Sequence, residues 1–323
     1  MAFEAKKALL EFNIEAQKVE LVSQTNNDRL IYNVDDKYFV EATTDENIDE
    51  NKIILMNKLI ERYIEFGLKA PKYLKNIDGK YIYNDGTYNV VLYEKLEEKL
   101  LCDDKEANYL NIVKELYQYI GKYSSKYKGV DIYPFRSPYS VIDLAPHDSE
   151  FDEKQVNLNS LCDILKKAGF ADLMSKMQRF NERIRDELKE IYKKLPRCNY
   201  QANLTNKSIL VKDNHFVGLT DFTLCGSEVI VNYISNEART DLSEDDFINL
   251  SANEIYNKIL KEHKKSVSEI LKYYELLPIE KKALELYNKL TYISGFNYYT
   301  VYKNVLRTKE RNKVTSLLYM LLV

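Results

Sequence analysis

The sequence predicts an α+β chain in two parts, and three observations carry that reading. Residues 1–95 alternate between strand-like and turn-like stretches around one amphipathic helix. Residues 96–323 are dominated by the three-four apolar spacing of helices. A single β-hairpin at 208–220 interrupts that helical part.

The elements follow in order. Leu9, Leu10, Phe12 and Ile14 mark a short opening helix within 6–18. The period then changes: Val19-Glu20-Leu21-Val22 alternates like a strand. Ser23 to Asp28 is polar turn chemistry, and Leu30 to Val34 is a second strand. Asp35-Asp36 makes a tight turn into a third strand, Lys37 to Ala42, which completes an antiparallel meander. Helical period returns from about Glu50 to Phe66, with Ile53, Ile54, Met56, Leu59, Ile60 and Tyr63 apolar. Gly67 caps that helix and Pro71 prevents its continuation. Two more strands, Lys80–Tyr83 and Tyr88–Tyr93, flank the turn Asn84-Asp85-Gly86, so this part holds a five-stranded antiparallel sheet and a helix.

In the second part, Ala107, Leu110, Val113, Leu116 and Ile120 share one helix face. The longest periodic run is Leu173, Met177, Phe180, Ile184, Leu188, Ile191 and Leu195. The hairpin pairs Ser208–Val211 with His215–Thr220 about Lys212-Asp213-Asn214. After residue 250 the pattern is helical to the end, with no internal repeat.

The chain has 323 residues, enough for a sizeable core. Hydrophobic residues at 45% and charged residues at 30% give a soluble globular composition. A net charge of −3 offers no global attraction to nucleic acid or an anionic membrane, so neither is expected as a partner. The basic stretch Lys303–Lys313, with Arg307, Lys309 and Arg311, reads as a solvated helix face. Met1-Ala2-Phe3-Glu4 leads straight into an amphipathic pattern, so no secretory leader is expected. The apolar tail Val314–Val323 is about half the length of a bilayer span and reads as a last helix docked on the core. Cys102, Cys162, Cys198 and Cys225 lie far apart without a CxxC pair, which points to reduced thiols in a cytoplasm. His147, His215 and His263 form no metal-ligand spacing. Abundant Lys, Asn, Ile and Tyr resemble the codon bias of an AT-rich genome and carry no function.

One stretch carries chemistry. Gln201-Ala202-Asn203-Leu204-Thr205-Asn206-Lys207-Ser208-Ile209-Leu210-Val211, followed by Gly218-Leu219-Thr220-Asp221-Phe222, resembles the catalytic segment of the aminoglycoside phosphotransferase and choline kinase family. That family's pattern is His-Gly-Asp, four residues, Asn, a strand, a turn, a second strand, then Ile-Asp-Phe. The spacing fits without a gap. Asn26-Asn27 in the first turn and the Phe66-Gly67 to Pro71 helix exit fit as well. The resemblance implies a two-lobed protein-kinase-like fold: an N-terminal lobe over 1–95, and a mainly helical lobe over 96–323 carrying a central hairpin and the segment 201–222.

The same resemblance implies what is missing. Asn203 stands at the position of the proton-accepting aspartate, and an amide has no charge with which to act as a base. Gln201 replaces the motif histidine. Ser208 replaces the metal-binding asparagine, and its shorter side chain is expected to reach magnesium only weakly or through water. The phosphate-binding lysine position falls on or next to Glu41, and its glutamate partner's position falls near Met56. Asp221 alone keeps its metal-binding identity, although an aspartate after a strand also caps turns. Asn27, Glu94 and Leu96 stand at nucleotide-facing positions, the last two where the family's hinge meets adenine through its backbone. Glu41 has two readings: a solvated strand residue, or a reversed ion pair with Lys52 or Lys58. Glu237, Asp241, Glu244, Asp245 and Asp246 are either a cation-binding rim or a solvated acidic loop.

The resemblance with these losses implies a catalytically impaired, pseudokinase-like protein. Its expected partner is a small molecule or a protein in or near the inter-lobe cleft, and ATP with Mg2+ is its cofactor only if nucleotide binding survives. The alternative is an active ATP-dependent phosphotransferase acting on a hydroxyl of an amino sugar, a choline-like molecule or a sugar.

Overall fold

The computed structural model describes residues 3–25, 28–46, 48–142, 152–238 and 240–323. Asn26, Asn27 and His147 therefore lie outside the described residues. The chain forms two compact units, one of Met1–Ile112 with Asn203–Thr223 and one of Val113–Ala202 with Leu224–Val323. The sequence sets its boundary near residue 95 and assigns the hairpin segment to the later part, whereas here that segment belongs with the first unit.

The first unit opens with α1 (Ala5–Leu10) and the meander β1 (Val19–Thr25), β2 (Arg29–Val34) and β3 (Tyr38–Thr43). Helix α2 (Glu50–Glu65), the short β4 (Tyr73–Leu74), β5 (Ile82–Asn84), β6 (Asn89–Glu94) and β7 (Lys99–Leu100) follow. Among the described residues the main sheet is antiparallel and six-stranded, in the order β1-β2-β3-β6-β4 with β5 also on β6. β4 is the strand beyond the five that the sequence predicts. Alternation sorts the two faces. Leu30, Val34, Val40, Ala42, Val90 and Leu92 are buried with Ala5, Ala8, Leu9 and Phe12 from the opening helix and its exit. Arg29, Glu41 and Tyr93 share the opposite face. The turn between β2 and β3 works because Asp35 and Asp36 both adopt left-handed angles, φ 51° and 57°, which short polar side chains tolerate.

Helix α2 begins where the Asp49 carboxylate accepts from the Lys52 amide at 2.7 Å. It ends at Gly67, φ 98°. Just beyond, Lys69 exchanges backbone hydrogen bonds of 2.9 Å with Val217 and Leu219.

The second unit begins within α3 (Tyr109–Lys126) and continues with α4 (Glu153–Lys167), α5 (Ala171–Lys189) and β8 (Arg197–Tyr200). The hairpin β9 (Ile209–Lys212) and β10 (His215–Leu219) belongs to the first unit, where β9 also pairs with β7. Its turn is a second left-handed pair, Asp213 and Asn214. The second unit resumes with β11 (Gly226–Val229), which pairs with β8, and with α6 (Ile230–Glu237). Helices α7 (Glu244–Asn249), α8 (Ala252–Leu271), α9 (Pro278–Ser294), α10 (Phe296–Val305) and α11 (Arg311–Leu321) complete the chain. α9 packs against α4, α5, α6, α10 and α11 and so forms the middle of the helical core.

Two sequence expectations change here. The basic run Lys303–Lys313 is the bend between α10 and α11, not one helix face. The β8–β11 pair is a second β feature beside the expected hairpin. Val314, Leu317, Leu318 and Leu321 are buried, as a docked last helix requires. No helix among the described residues is long and apolar enough to cross a membrane.

Candidate functional site

The segment that carries the sequence motif leaves β8 through a strained residue. Gln201 is fully buried, and Ala202 adopts φ 59°. A left-handed angle at a residue with a Cβ costs roughly 1–2 kcal/mol, and the resemblance places glycine at this position. Ala202 has kept the backbone path without the residue that makes it easy. The following loop is tied by Ser208, which is 1% exposed. Its hydroxyl donates to the Asn203 carbonyl and accepts from the Thr205 amide at 3.0 Å. Ser208 thus spends its hydroxyl on its own loop.

Asp221 follows β10 with φ 55°. The Asn203 amide donates to its Oδ2 at 3.0 Å. On the other oxygen, the Thr223 hydroxyl donates to Oδ1 at 2.5 Å, with the Thr223 amide at 3.4 Å. The carboxylate is therefore met on both oxygens by neutral donors of this chain, in the manner of a turn-capping aspartate. Phe222 is buried and meets the Tyr63 ring of α2 edge-on, with centroids 5.2 Å apart.

Glu41 corrects two expectations. It is 6% exposed, not solvated. Its partner is Arg29 of β2 rather than Lys52 or Lys58 of α2: Arg29 Nε donates to Oε1 at 2.6 Å and Nη2 to Oε2 at 2.9 Å. The antiparallel register explains the choice. Arg29 lies opposite Thr43 and Ile31 opposite Glu41, so residues 29 and 41 are diagonal neighbours on one face. Burial works to lower the Arg29 guanidinium, but the hydrogen bond and charge of Glu41, with the charge of Asp221, outweigh it and leave its pKa raised. Tyr93 stands in the same field, its hydroxyl pushed up by burial and then by Glu41 and Asp221, with Arg29 opposing. Arg29, Glu41 and Tyr93 thus share one face of the sheet, and the charge of Asp221, which accepts from Asn203, acts on Arg29 and Tyr93 within the same unit.

At the hinge position, the Glu94 amide donates to the Lys72 carbonyl and the Lys95 amide to the Lys37 carbonyl, so both serve the sheet ahead of Leu96. In the acidic stretch, Asp246 accepts from the Ser243 amide and from Lys258 Nζ, each at 2.8 Å. Glu244 accepts from Asn304, and the Asp241 amide donates to Glu262. Asp246 thus caps the start of α7, Glu244 and Asp241 pair locally, and Glu237 is buried at the end of α6.

Magnesium favours several oxygen ligands in near-octahedral array. The donors at the motif are one carboxylate engaged on both oxygens, a serine hydroxyl turned into its loop, and an amide that points its nitrogen at the carboxylate. Among the described residues no group of three or more His, Cys, Asp or Glu side chains is placed to hold a metal ion. This donor set does not fit a magnesium-nucleotide complex of the kind the resemblance implies. Sequence reasoning missed Arg29 and Thr223. Arg29 was not legible from the Asp35-Asp36 turn alone: a two-residue turn would set Leu30 opposite Glu41, whereas Val34 pairs with Tyr38 and the register shifts by one residue.

No protein-family model matches the sequence, and no curated protein matches it. Solved structures do resemble the chain along nearly all its length. One is a microcompartment-associated aminopropanol kinase, at 13% identity and TM-score 0.56, covering 98% of this chain and 94% of that one. A second is an aminoglycoside phosphotransferase from Alicyclobacillus acidocaldarius, at 11% identity and TM-score 0.55, covering 99% and 96%. A third is a spectinomycin phosphotransferase in complex with ADP and spectinomycin, at 11% identity and TM-score 0.54, covering 98% and 96%. Likeness at such low identity establishes the fold: this chain is built as the aminoglycoside-phosphotransferase-like kinases are.

Proposed function

We propose that this protein is a catalytically impaired member of the phosphotransferase-like fold that binds a small molecule or a protein partner and does not transfer phosphate. The Asn203–Asp221 hydrogen bond carries this reading. A base must accept a proton, and an amide nitrogen that donates to a carboxylate does not. Loss of a general base costs about 10²–10⁴ in rate. The same bond satisfies Asp221 without a cation. Two carboxylates at this separation would repel unless a metal lay between them, so the change from carboxylate to amide and the poor magnesium fit support one another.

Asn203→Asp tests the reading. It places a second carboxylate about 3 Å from Asp221 Oδ2. The variant is expected to melt several degrees below the parent without divalent cation, and to recover with magnesium, because a ligand that binds only the folded state raises its stability. The parent is expected to show no magnesium-dependent shift with ADP. A magnesium-dependent rise in the parent, joined to transfer of phosphate to a hydroxyl compound, contradicts the proposal.

A further inference from the structure

Arg29 is a cation in an unusual state of readiness. Its side chain is 36% exposed, while that of Glu41 is 8% exposed. Glu41 grips one edge of the guanidinium through Nε and Nη2. Among the described residues none accepts from Nη1. An arginine held on one edge by a buried carboxylate has a fixed plane and loses little side-chain entropy when its other edge takes a ligand. The planar fork suits an oxyanion, which accepts parallel N–H bonds. The charged groups acting on Arg29 are Glu41, which neutralises it pairwise, and Asp221, whose field also reaches it.

We infer that Arg29 is the residue that meets the anionic group of a ligand at this site, a phosphate or pyrophosphate group, with Glu41 as its holder. The inference rests on the reading of this site as a ligand-binding one and names the chemistry of that ligand. It makes the pair an inversion of the expected one: the cation stands on β2, and the carboxylate stands on β3 where a lysine was expected. Asp221 then acts against the anion. Its charge already acts on Arg29, so it opposes an incoming phosphate there, while Asn203 and Thr223 donate to its two oxygens.

The opposed signs make the test sharp. Binding of inorganic pyrophosphate, ADP and adenosine is measured by titration calorimetry without divalent cation, for the parent, Arg29→Gln, Arg29→Lys, Asp221→Asn and the double variant Arg29→Gln/Glu41→Gln. The double variant leaves no buried carboxylate unpaired, so a fold lost in the single variant does not obscure the answer. Pyrophosphate and ADP are expected to bind the parent, to weaken at least tenfold in both Arg29→Gln backgrounds, to recover in part with lysine, and to tighten in Asp221→Asn. Loss of ADP alone, with pyrophosphate unbound by any variant, assigns the anion to a nucleotide; equal loss of both assigns it to phosphate as such, and either outcome supports the inference. The inference is overturned if neither anion binds the parent, if binding ignores Arg29, or if Asp221→Asn abolishes it, which would mark a cationic ligand. Phosphate transfer in a separate assay would sink the impaired reading while leaving the Arg29 result intact.

Discussion

His263 sits fully buried in α8, with Nε2 3.1 Å from the Ser235 carbonyl and Nδ1 3.0 Å from the Tyr292 hydroxyl. Nε2 donates to the carbonyl, and Nδ1 accepts from the phenol, so the ring is neutral and satisfied. Burial pushes its pKa down to about 4, against a smaller opposing effect of the Ser235 carbonyl. A histidine depressed in the folded state binds its proton more readily when unfolded. Its stabilising contribution is full above about pH 6.5 and falls as the pH drops toward 4, by on the order of 3 kcal/mol at the limit. Urea unfolding at pH 7 and pH 4.5 is expected to show that loss, and His263→Phe to reduce it; a pH-independent difference between the two proteins would contradict it. The residues of the candidate site were legible to different degrees. Asn203, Ser208 and Asp221 followed from spacing along one segment. The partner of Glu41 did not, because the helix lysines are nearer to the expected family pairing, whereas the pair that forms is set by strand register.

Gly218 shows how one element constrains another. A Cβ built there would lie 2.2 Å from the Lys69 carbonyl oxygen, which belongs to backbone already bonded to β10. Gly218→Ala is expected to destabilise the first unit by roughly 1–3 kcal/mol, read as a lower urea midpoint with an unchanged slope. Glu280 does comparable duty at the start of α9. It is fully buried, takes Lys128 Nζ at 2.8 Å and the Tyr274 hydroxyl at 2.5 Å, and accepts from the Leu277 amide at 3.0 Å. Glu280→Ala strands the lysine and the phenol and is expected to cost roughly 3–5 kcal/mol; a change within 0.5 kcal/mol, the scale of ordinary surface substitutions, would show that the cluster adds nothing. The meander, α2 and the β9–β10 hairpin were readable because each alternates or repeats with a clear period and ends in turn chemistry. β8 and β11 were not, since Cys198, Asn199 and Tyr200 and all of Gly226–Val229 are buried and leave no period of two to read. In α4 the buried set includes Lys154 and Asn157, which blurs the apolar stripe.

The whole molecule is not two consecutive segments. The chain leaves the first unit at Ile112, returns at Asn203 and leaves again at Thr223. β9 supplies the partner of β7, and β10 supplies the backbone partners of Lys69. A fragment of residues 1–112 therefore lacks strands that its own elements need, and is expected to unfold without a cooperative transition. A sharp melt of that fragment would show that the returning segment is not part of the unit's stability. At this scale the order of elements and the motif spacing revealed the kinase-like fold, while sequence distance hid which unit the hairpin joins. Turnover decides whether a protein of this architecture has lost phosphate transfer. ADP release from ATP and magnesium is followed over a panel of amino sugars, amino alcohols and choline-like compounds, beside Asp221→Ala. Both proteins are expected to show the same background rate with every acceptor. An acceptor-dependent rate in the parent that disappears in Asp221→Ala would contradict it.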